Sequence, residues 1–387
     1  MNLLDFVLVL LVIGAAVGGY RLGFFTRVVS WLGLGVGFVI GAGLLLPYLM
    51  RRLEGANEIS MKMVAIATLV GSALVGQGIG LTLGSKLHVE RPEGPSKHVD
   101  QGAGAAAGIL GVLVALWLLL PLLASNGWLA EQTYGSEIAQ QVHEHFPNPP
   151  SVLQGLRRLM GEESWPLVFG GLEQAPDVGP PPTAAGLPQT ITNQVTRSTV
   201  KVQGIACRRV QEGSGFVVDD DLIVTNAHVV AGEDETEVEL DNGDVRNATV
   251  VAFDSGRDLA VLRVRNLGRP ALPLRDAKVG DEGGVFGHPG GGPLTISPFR
   301  ISEEITAVGR DVYDRRESRR DVLVLASNLH PGDSGSALVD VQGEVVGVAF
   351  AVAPDKQGVA YALDLGELRP LLNSDLGTAK DTGDCLV

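Results

Sequence analysis

Cysteine is nearly absent from this chain of 387 residues: only Cys207 and Cys385 occur, both in the C-terminal half. Neither belongs to a C-x-x-C pair or a Cys/His cluster at zinc spacing, so no metal site and no cofactor is expected. Positive charge is short as well. Thirty Lys and Arg stand against 44 Asp and Glu, for a net charge of −14, and no basic stripe relieves the deficit. Nucleic acid is therefore excluded as a partner, because phosphate contacts need such a stripe. Long uncharged runs are also missing from most of the chain. They crowd before residue 125, and beyond it the sequence turns charged, Pro-punctuated and alternating. That division points to a membrane part followed by a soluble part.

Four early stretches, about 3–20, 28–50, 63–84 and 103–124, are long and apolar enough to cross a bilayer, which takes about 20 helical residues. The first lacks a basic start and a small-residue cleavage site, and further spans follow it. It reads as an anchor and not as a cleaved signal. Arg21 and Arg27 follow the first span, and Lys86, Arg91 and Lys97 precede the fourth, against Arg51, Arg52 and Lys62 in the middle loop. This balance leans toward cytoplasmic first and third loops, with both chain ends outside. Apart from Asp5 the spans carry almost no ionisable residue, which speaks for packing and anchoring over an ion path. Gly37 and Gly41, Gly76 and Gly80, and Gly104 and Gly108 are each four apart, the interval that lets helix backbones approach. The opening NLLDFVLVLLVIGAAVGGYRLGFF, with Asp5, Gly19 and Gly23, resembles the start of the colicin-V-production (CvpA) membrane family, and the resemblance spans residues 1–125.

Residues 126–189 read as a connector. SEIAQQVHEHF (136–146) and SVLQGLRRLM (151–160) have the pattern of short amphipathic helices, the second opened by Pro150 and Ser151. QAPDVGPPPTAAGLPQ (174–189) reads as a stiff, extended linker. His143 and His145 lie two apart on a helix, on different faces, and are expected in solvent.

From about residue 190 short apolar runs alternate with Gly-rich turns: STVKVQGI, GSGFVV, DLIVTNA, ATVVAF, LAVLRV, DVLVLAS, SALVDV and EVVGVAFAV. Such a series points to an all-β barrel or sandwich. Three polar residues stand out on it. TNAHVV places His228 after a strand, SGRDLAVLRV places Asp258 at the head of one, and GDSGSA places Ser334 before another. A hydroxyl is a poor nucleophile until a base takes its proton, and the base works best when a third group fixes its tautomer. Asp254, four residues before Asp258, competes for that third role. Gly332 and Ser334 can aim backbone N–H groups at a developing oxyanion, which a side chain at Gly332 would obstruct.

GSGFVV, TNAHVV, RDLAVL and GDSGSALVD, in that order, resemble the trypsin-fold serine proteases of the bacterial HtrA type over residues 190–375. The resemblance implies two six-stranded β-barrels with the site in the cleft between them. It assigns His228 as general base, Asp258 as its orienting carboxylate, Ser334 as nucleophile, and the amides of Gly332 and Ser334 as the oxyanion hole. There are departures. Too little chain follows residue 375 for a PDZ domain, Ser336 stands where a second glycine is usual, and Asp333 has no evident partner. A CvpA-like anchor on such a domain resembles the actinobacterial MarP family of membrane-anchored periplasmic serine proteases.

The expected fold is therefore multi-domain, with a four-helix transmembrane domain (1–125), the connector (126–189), and a double-barrel protease domain with its tail (190–387). A Cys207–Cys385 disulfide would tie the tail to the first barrel and needs an oxidising compartment. With the loop charges, it puts the protease domain on the periplasmic side of the cytoplasmic membrane. Asn328, six before the nucleophile, is expected near the base of the primary pocket and is no acid, so no strong preference for Arg or Lys follows. Phe350 and Ala351 are expected on the strand that pairs with substrate backbone. His288 and His330 are candidate acid sensors. The expected function is proteolysis of cell-envelope proteins in acid and oxidative stress. The alternative is a transport or membrane-organising protein whose protease-like domain only senses or binds peptides.

Overall fold

The computed structural model describes residues 1–52, 58–87, 95–124, 127–146, 168–206 and 209–386. Two units emerge, one of Met1–Leu123 with Gln132–Gly161, the other of Ala124–Glu131 with Glu162–Val387.

The Leu-, Val- and Gly-rich runs of the first unit fold as helices: α1 (Leu3–Leu22), α2 (Phe24–Ile40), a π turn (Gly41–Leu45), α3 (Leu46–Arg52), α4 (Glu58–Leu87) and α5 (Pro95–Leu123). Among the described residues four segments are long and apolar enough to cross a membrane: Leu3–Leu22, Phe24–Leu49, Ala67–Lys86 and Ser96–Pro121. The fourth starts several residues before the expected 103. Its polar first turns stay helical, and Asp100 there accepts the Phe24 N–H at 3.1 Å, covering an open donor at the start of α2. The spaced glycines do what their interval implies. A Cβ on Gly37 would lie 2.2 Å from the Ser72 carbonyl oxygen, and one on Gly104 would lie 2.3 Å from that of Gly19. Backbones touch at both places.

Beyond α6 (Gly127–Tyr134) lies α7 (Glu137–His145), the first of the two expected connector helices. Asp5, fully buried, explains its place. It accepts the Ser136 hydroxyl at 2.6 Å, the Asn2 N–H at 2.9 Å and the Ile138 N–H at 3.1 Å, so one carboxylate caps the starts of both α1 and α7. Its role in the fold is to join two helix ends. The helix expected over 151–160 lies outside the described residues.

The second unit holds two closed six-stranded barrels. After α8 (Gln189–Ser198) come β1 (Thr199–Ala206), β2 (Arg209–Asp219), β3 (Leu222–Thr225), the single turn α9 (Ala227–Val230), β4 (Thr236–Glu239), β5 (Val245–Asp254) and β6 (Leu259–Arg263). These close in the order β1-β2-β3-β6-β5-β4. The second barrel has β7 (Glu282–Gly287), β8 (Thr295–Arg310), β9 (Glu317–Ser327), β10 (Ala337–Asp340), β11 (Val345–Val352) and β12 (Val359–Asp364), ordered β10-β11-β12-β9-β8-β7 and followed by α10 (Leu365–Leu372). The unbroken apolar run of DVLVLAS has a physical reason. Leu323 and Leu325 fill the second barrel, while Val322, Val324 and Ala326 join the cluster that packs it on the first, so β9 is buried on both faces.

The Pro-rich stretch is not a free connector up to residue 189. Residues 168–188 lie along the second barrel, with Val168 and Val178 buried and the Phe169 ring edge-on to Tyr361 at 5.7 Å. Extended chain of this kind has no internal hydrogen bonds, so its backbone groups find partners elsewhere. The Ala175 N–H donates to Asp355 at 3.0 Å, and Arg300 donates to the Val178 carbonyl at 2.9 Å. The C-terminal tail docks on the first barrel through Lys380 N–H to Val250 (2.8 Å) and Gly232 N–H to Thr382 (3.2 Å). Cys385 packs against Gly232. Cys207, its expected partner, lies outside the described residues.

Candidate active site

His228 sits on α9, the turn that follows β3, and Asp258 stands just before β6, which pairs with β3. The barrel thus brings both side chains together. His228 Nδ1 lies 2.7 Å from Asp258 Oδ2, and the His228 N–H donates to Oδ1 at 2.9 Å. Two contacts on one carboxylate fix both the ring plane and its tautomer, with the proton on Nδ1 and a lone pair on Nε2. Asp258 is fully buried and adopts a left-handed φ of 60°, while Asn226 Nδ2 holds its carbonyl at 2.8 Å. The competitor Asp254 is occupied elsewhere, accepting from the Arg257 guanidinium at 2.8 Å.

Ser334 reaches this corner from the second barrel. Its carbonyl accepts the Ser214 N–H of β2 at 2.8 Å. Gly335, at φ 84°, has no room for a Cβ, which would lie 2.2 Å from the Ser214 carbonyl oxygen and 3.1 Å from the nitrogen of Asn226, two residues before His228. The Ser334 hydroxyl makes no hydrogen bond to a described residue. Resting hydroxyls at such sites commonly tighten onto the base only when substrate arrives.

Two backbone N–H groups, of Gly332 and Ser334, are each aimed through their own peptide plane. In a trans peptide the C=O and the following N–H point in opposite directions. Gly290 N–H binds the Pro331 carbonyl at 2.7 Å, which turns the Gly332 N–H the other way; Ser336 N–H binds the Asp333 carbonyl at 3.1 Å and does the same for the Ser334 N–H. Neither of these two N–H groups donates to a described residue. Gly332 adopts φ 97°, and a Cβ there would lie 2.4 Å from the His288 carbonyl oxygen. Its own carbonyl accepts the Ser214 hydroxyl at 2.7 Å, and Ser214 Oγ in turn accepts the His288 N–H at 2.9 Å. Sequence reading missed Ser214 and Gly290 as supports. Ser214 lay inside the GSGFVV motif already singled out, whereas nothing in HPGGG announces a peptide-aiming contact.

Asp333 is almost wholly buried and makes no ion pair among the described residues; its Oδ2 accepts the His330 N–H at 2.9 Å. Burial pushes its carboxyl up to about 6. Ser336 Oγ, also buried, has no partner among the described residues. His288 is held neutral by burial, which lowers its pKa, and Nδ1 lies 3.0 Å from the Gly292 carbonyl oxygen; neutrality of this kind persists further into acid than for an exposed imidazole. The His330 side chain is exposed. Asn328 is exposed and lies beside Gly358 and, through it, Pro181 of the packed Pro-rich stretch. Phe350 and Ala351 are wholly buried. Among the described residues no group of three His, Cys, Asp or Glu is placed to hold a metal.

Comparison with known proteins agrees with both halves. Residues 213–348 match the trypsin-like peptidase domain and residues 4–145 match the Colicin V production protein. The chain is similar to serine protease Rv3671c of Mycobacterium tuberculosis H37Rv, at 32% identity over 95% of this chain and 94% of the relative. The crystal structure of the Rv3671c protease in its active form superposes with a TM-score of 0.52 at 35% identity, covering 56% of this chain and 97% of that one. Serine endoprotease DegS of Haemophilus influenzae is 33% identical over 35% of this chain and 40% of its own.

Proposed function

Because this chain belongs to the MarP-type family of membrane-anchored serine proteases, the family of Rv3671c, we propose that it cleaves proteins of the cell envelope by acyl-enzyme chemistry. His228 takes the hydroxyl proton of Ser334 as the oxygen attacks the scissile carbonyl, and Asp258 holds the imidazolium that forms. The N–H groups of Gly332 and Ser334 bind the resulting oxyanion. His228 then protonates the leaving amine, and water repeats the sequence on the ester. The observations that carry this reading are the doubly hydrogen-bonded His228–Asp258 pair and the N–H groups of Gly332 and Ser334, which donate to no described residue.

Asn328 is assigned to the primary pocket in this reading, and the backbone of Phe350 and Ala351 to the substrate-pairing strand. The protease unit works on the periplasmic side. Support for that side comes from the loop charges, and the expected Cys207–Cys385 disulfide would need the oxidising compartment found there. An alkaline phosphatase fused after residue 387 is expected to be active and a green fluorescent fusion dark; the reverse pattern contradicts the orientation. Comparing envelope proteins cut by the wild type and by Ser334→Ala cells, at neutral and acidic pH, tests the substrate class. Fragments absent from the Ser334→Ala sample are the expected result, and identical profiles contradict it.

A role in acid is supported by two buried carboxyls. Burial raises Glu233, beside Thr236 and Gln211, to about 7, and Asp333 to about 6. Their ordinary values are 4.5 and 3.8, so the folded state holds protons that the unfolded chain has already released. Each contribution to stability is complete below the ordinary value and is lost as pH rises through about 6 for Asp333 and about 7 for Glu233. The urea midpoint is therefore expected to fall between pH 5 and pH 8, by roughly 1–3 kcal/mol in stability per group. Glu233→Gln and Asp333→Asn flatten that slope; a midpoint that rises over the same interval contradicts the assignment.

A further inference from the structure

Arg320 of β9 is a buried cation that the mechanism above does not use. It is 2% exposed and forms no ion pair with a described carboxylate. A buried guanidinium without a contact partner is costly, and here desolvation lowers its pKa. Carbonyls stand in for the missing carboxylate. Nε donates to the Gly256 carbonyl at 2.6 Å and Nη2 to the Arg310 carbonyl at 2.6 Å.

The two sides of this guanidinium are what give it a consequence. Gly256 lies two residues before Asp258, on the turn where Asp258 takes its left-handed φ. That turn belongs to the first barrel, yet its carbonyls are bound from the second. The Val312 N–H donates to Ser255 at 3.1 Å, and Ser318 Oγ donates to Gly256 at 2.6 Å alongside Arg320. On the other side, the guanidinium carbon lies 5.9 Å from the centre of the Phe350 ring. Phe350 belongs to β11, at the irregular register between Ala349 and Ala351. Among the carboxylates acting on Arg320 at longer range, Asp258 is the foremost, ahead of Glu367, Asp311 and Asp254. One rigid fork therefore touches the turn that carries the expected orienting carboxylate and the strand expected to meet substrate.

We propose that Arg320 is a positioning residue of the catalytic centre, clamping the Gly256–Asp258 turn of the first barrel against Phe350 of the second so that Asp258 meets the His228 ring in register. The inference rests on Ser334, His228 and Asp258 being the catalytic set. A planar fork reaches two carbonyls and the ring together, whereas an ammonium keeps the charge and reaches fewer of them. Small displacements of catalytic groups cost up to about 10²-fold in rate.

The test uses the full-length chain in detergent. Wild type, Arg320→Met and Arg320→Lys are compared for peptide turnover, for the downfield proton resonance of the His228–Asp258 hydrogen bond, and for fluorophosphonate labelling. Arg320→Met is expected to lose about 30- to 100-fold in kcat with KM within about threefold, and to shift or lose the resonance. Arg320→Lys is expected to recover part of both. A folded Arg320→Met chain with kcat within about twofold of wild type and an unmoved resonance overturns the inference. So does a loss confined to KM. Should Arg320→Met fail to fold, Arg320→Lys decides: wild-type kcat and an unmoved resonance overturn the role of the fork. Wild type that is folded but unlabelled at Ser334 instead sinks the catalytic reading on which the inference rests.

Discussion

Ser334→Ala is expected to leave a folded membrane protein whose kcat/KM for peptide cleavage has fallen by about 10⁶-fold, a loss typical of removing the nucleophile of such a unit. Folding survives because the hydroxyl makes no hydrogen bond to a described residue; its removal exposes no orphaned partner, and the stability change stays within about 0.5 kcal/mol. The amide donors at positions 332 and 334 remain, so the variant still binds substrate. Adding His228→Ala to it costs almost nothing further, because base and nucleophile act on one proton. Additive losses in the double variant would mean that the two residues work independently. The measurement is turnover of a peptide substrate by full-length protein, with circular dichroism and a urea midpoint confirming the fold.

Asp258→Asn is expected to cost about 10⁴-fold in kcat, for a different reason. The native carboxylate accepts two hydrogen bonds, one from the His228 ring and one from the His228 backbone N–H. An amide offers one oxygen and one NH₂ group. If the oxygen stays on the backbone N–H, the NH₂ faces Nδ1 and forces the ring proton onto Nε2, where a lone pair is needed. KM changes little, because the ring and the amide donors keep their places. Circular dichroism and a urea midpoint unchanged from wild type distinguish this outcome from simple unfolding, which lowers apparent kcat in the same way. Asp254→Asn is the control. That carboxylate is engaged by Arg257, and its loss leaves kcat within a few-fold of wild type.

Much of this site was legible in the sequence because each piece is carried by a short local pattern. TNAHVV ends a strand on His228, RDLAVL opens one at Asp258, and the glycines of GDSGSA allow backbone conformations that other residues resist. The four spans were legible from hydropathy and length. What stayed hidden depends on contacts between distant segments. The peptide-aiming bond from Gly290 to Pro331 leaves no residue-type signature, since any N–H would serve. Arg320 reads in sequence as one of several arginines in DRRESRR, and only the docking of two barrels shows that it is buried. The Gly-rich β7 lacks the apolar alternation that marks its neighbours. The stretch over 174–189 has the composition of a linker, and packing against the second barrel overrides it. Asp5 looked like a lone polar residue near a span end, because its partner Ser136 lies 131 residues away.

At the centre stands one physical requirement: an alcohol on the second barrel must meet an imidazole on the first beneath two amides that donate to no described residue. A structure of the full-length chain with a peptide boronic acid tests this directly. The predicted result is boron bonded to Ser334 Oγ, one boron oxygen within hydrogen-bond distance of the N–H groups of Gly332 and Ser334, and His228 Nε2 turned toward the adduct. Boron bound elsewhere, or at Ser334 with the His228 ring facing away and the two amides unengaged, would contradict it.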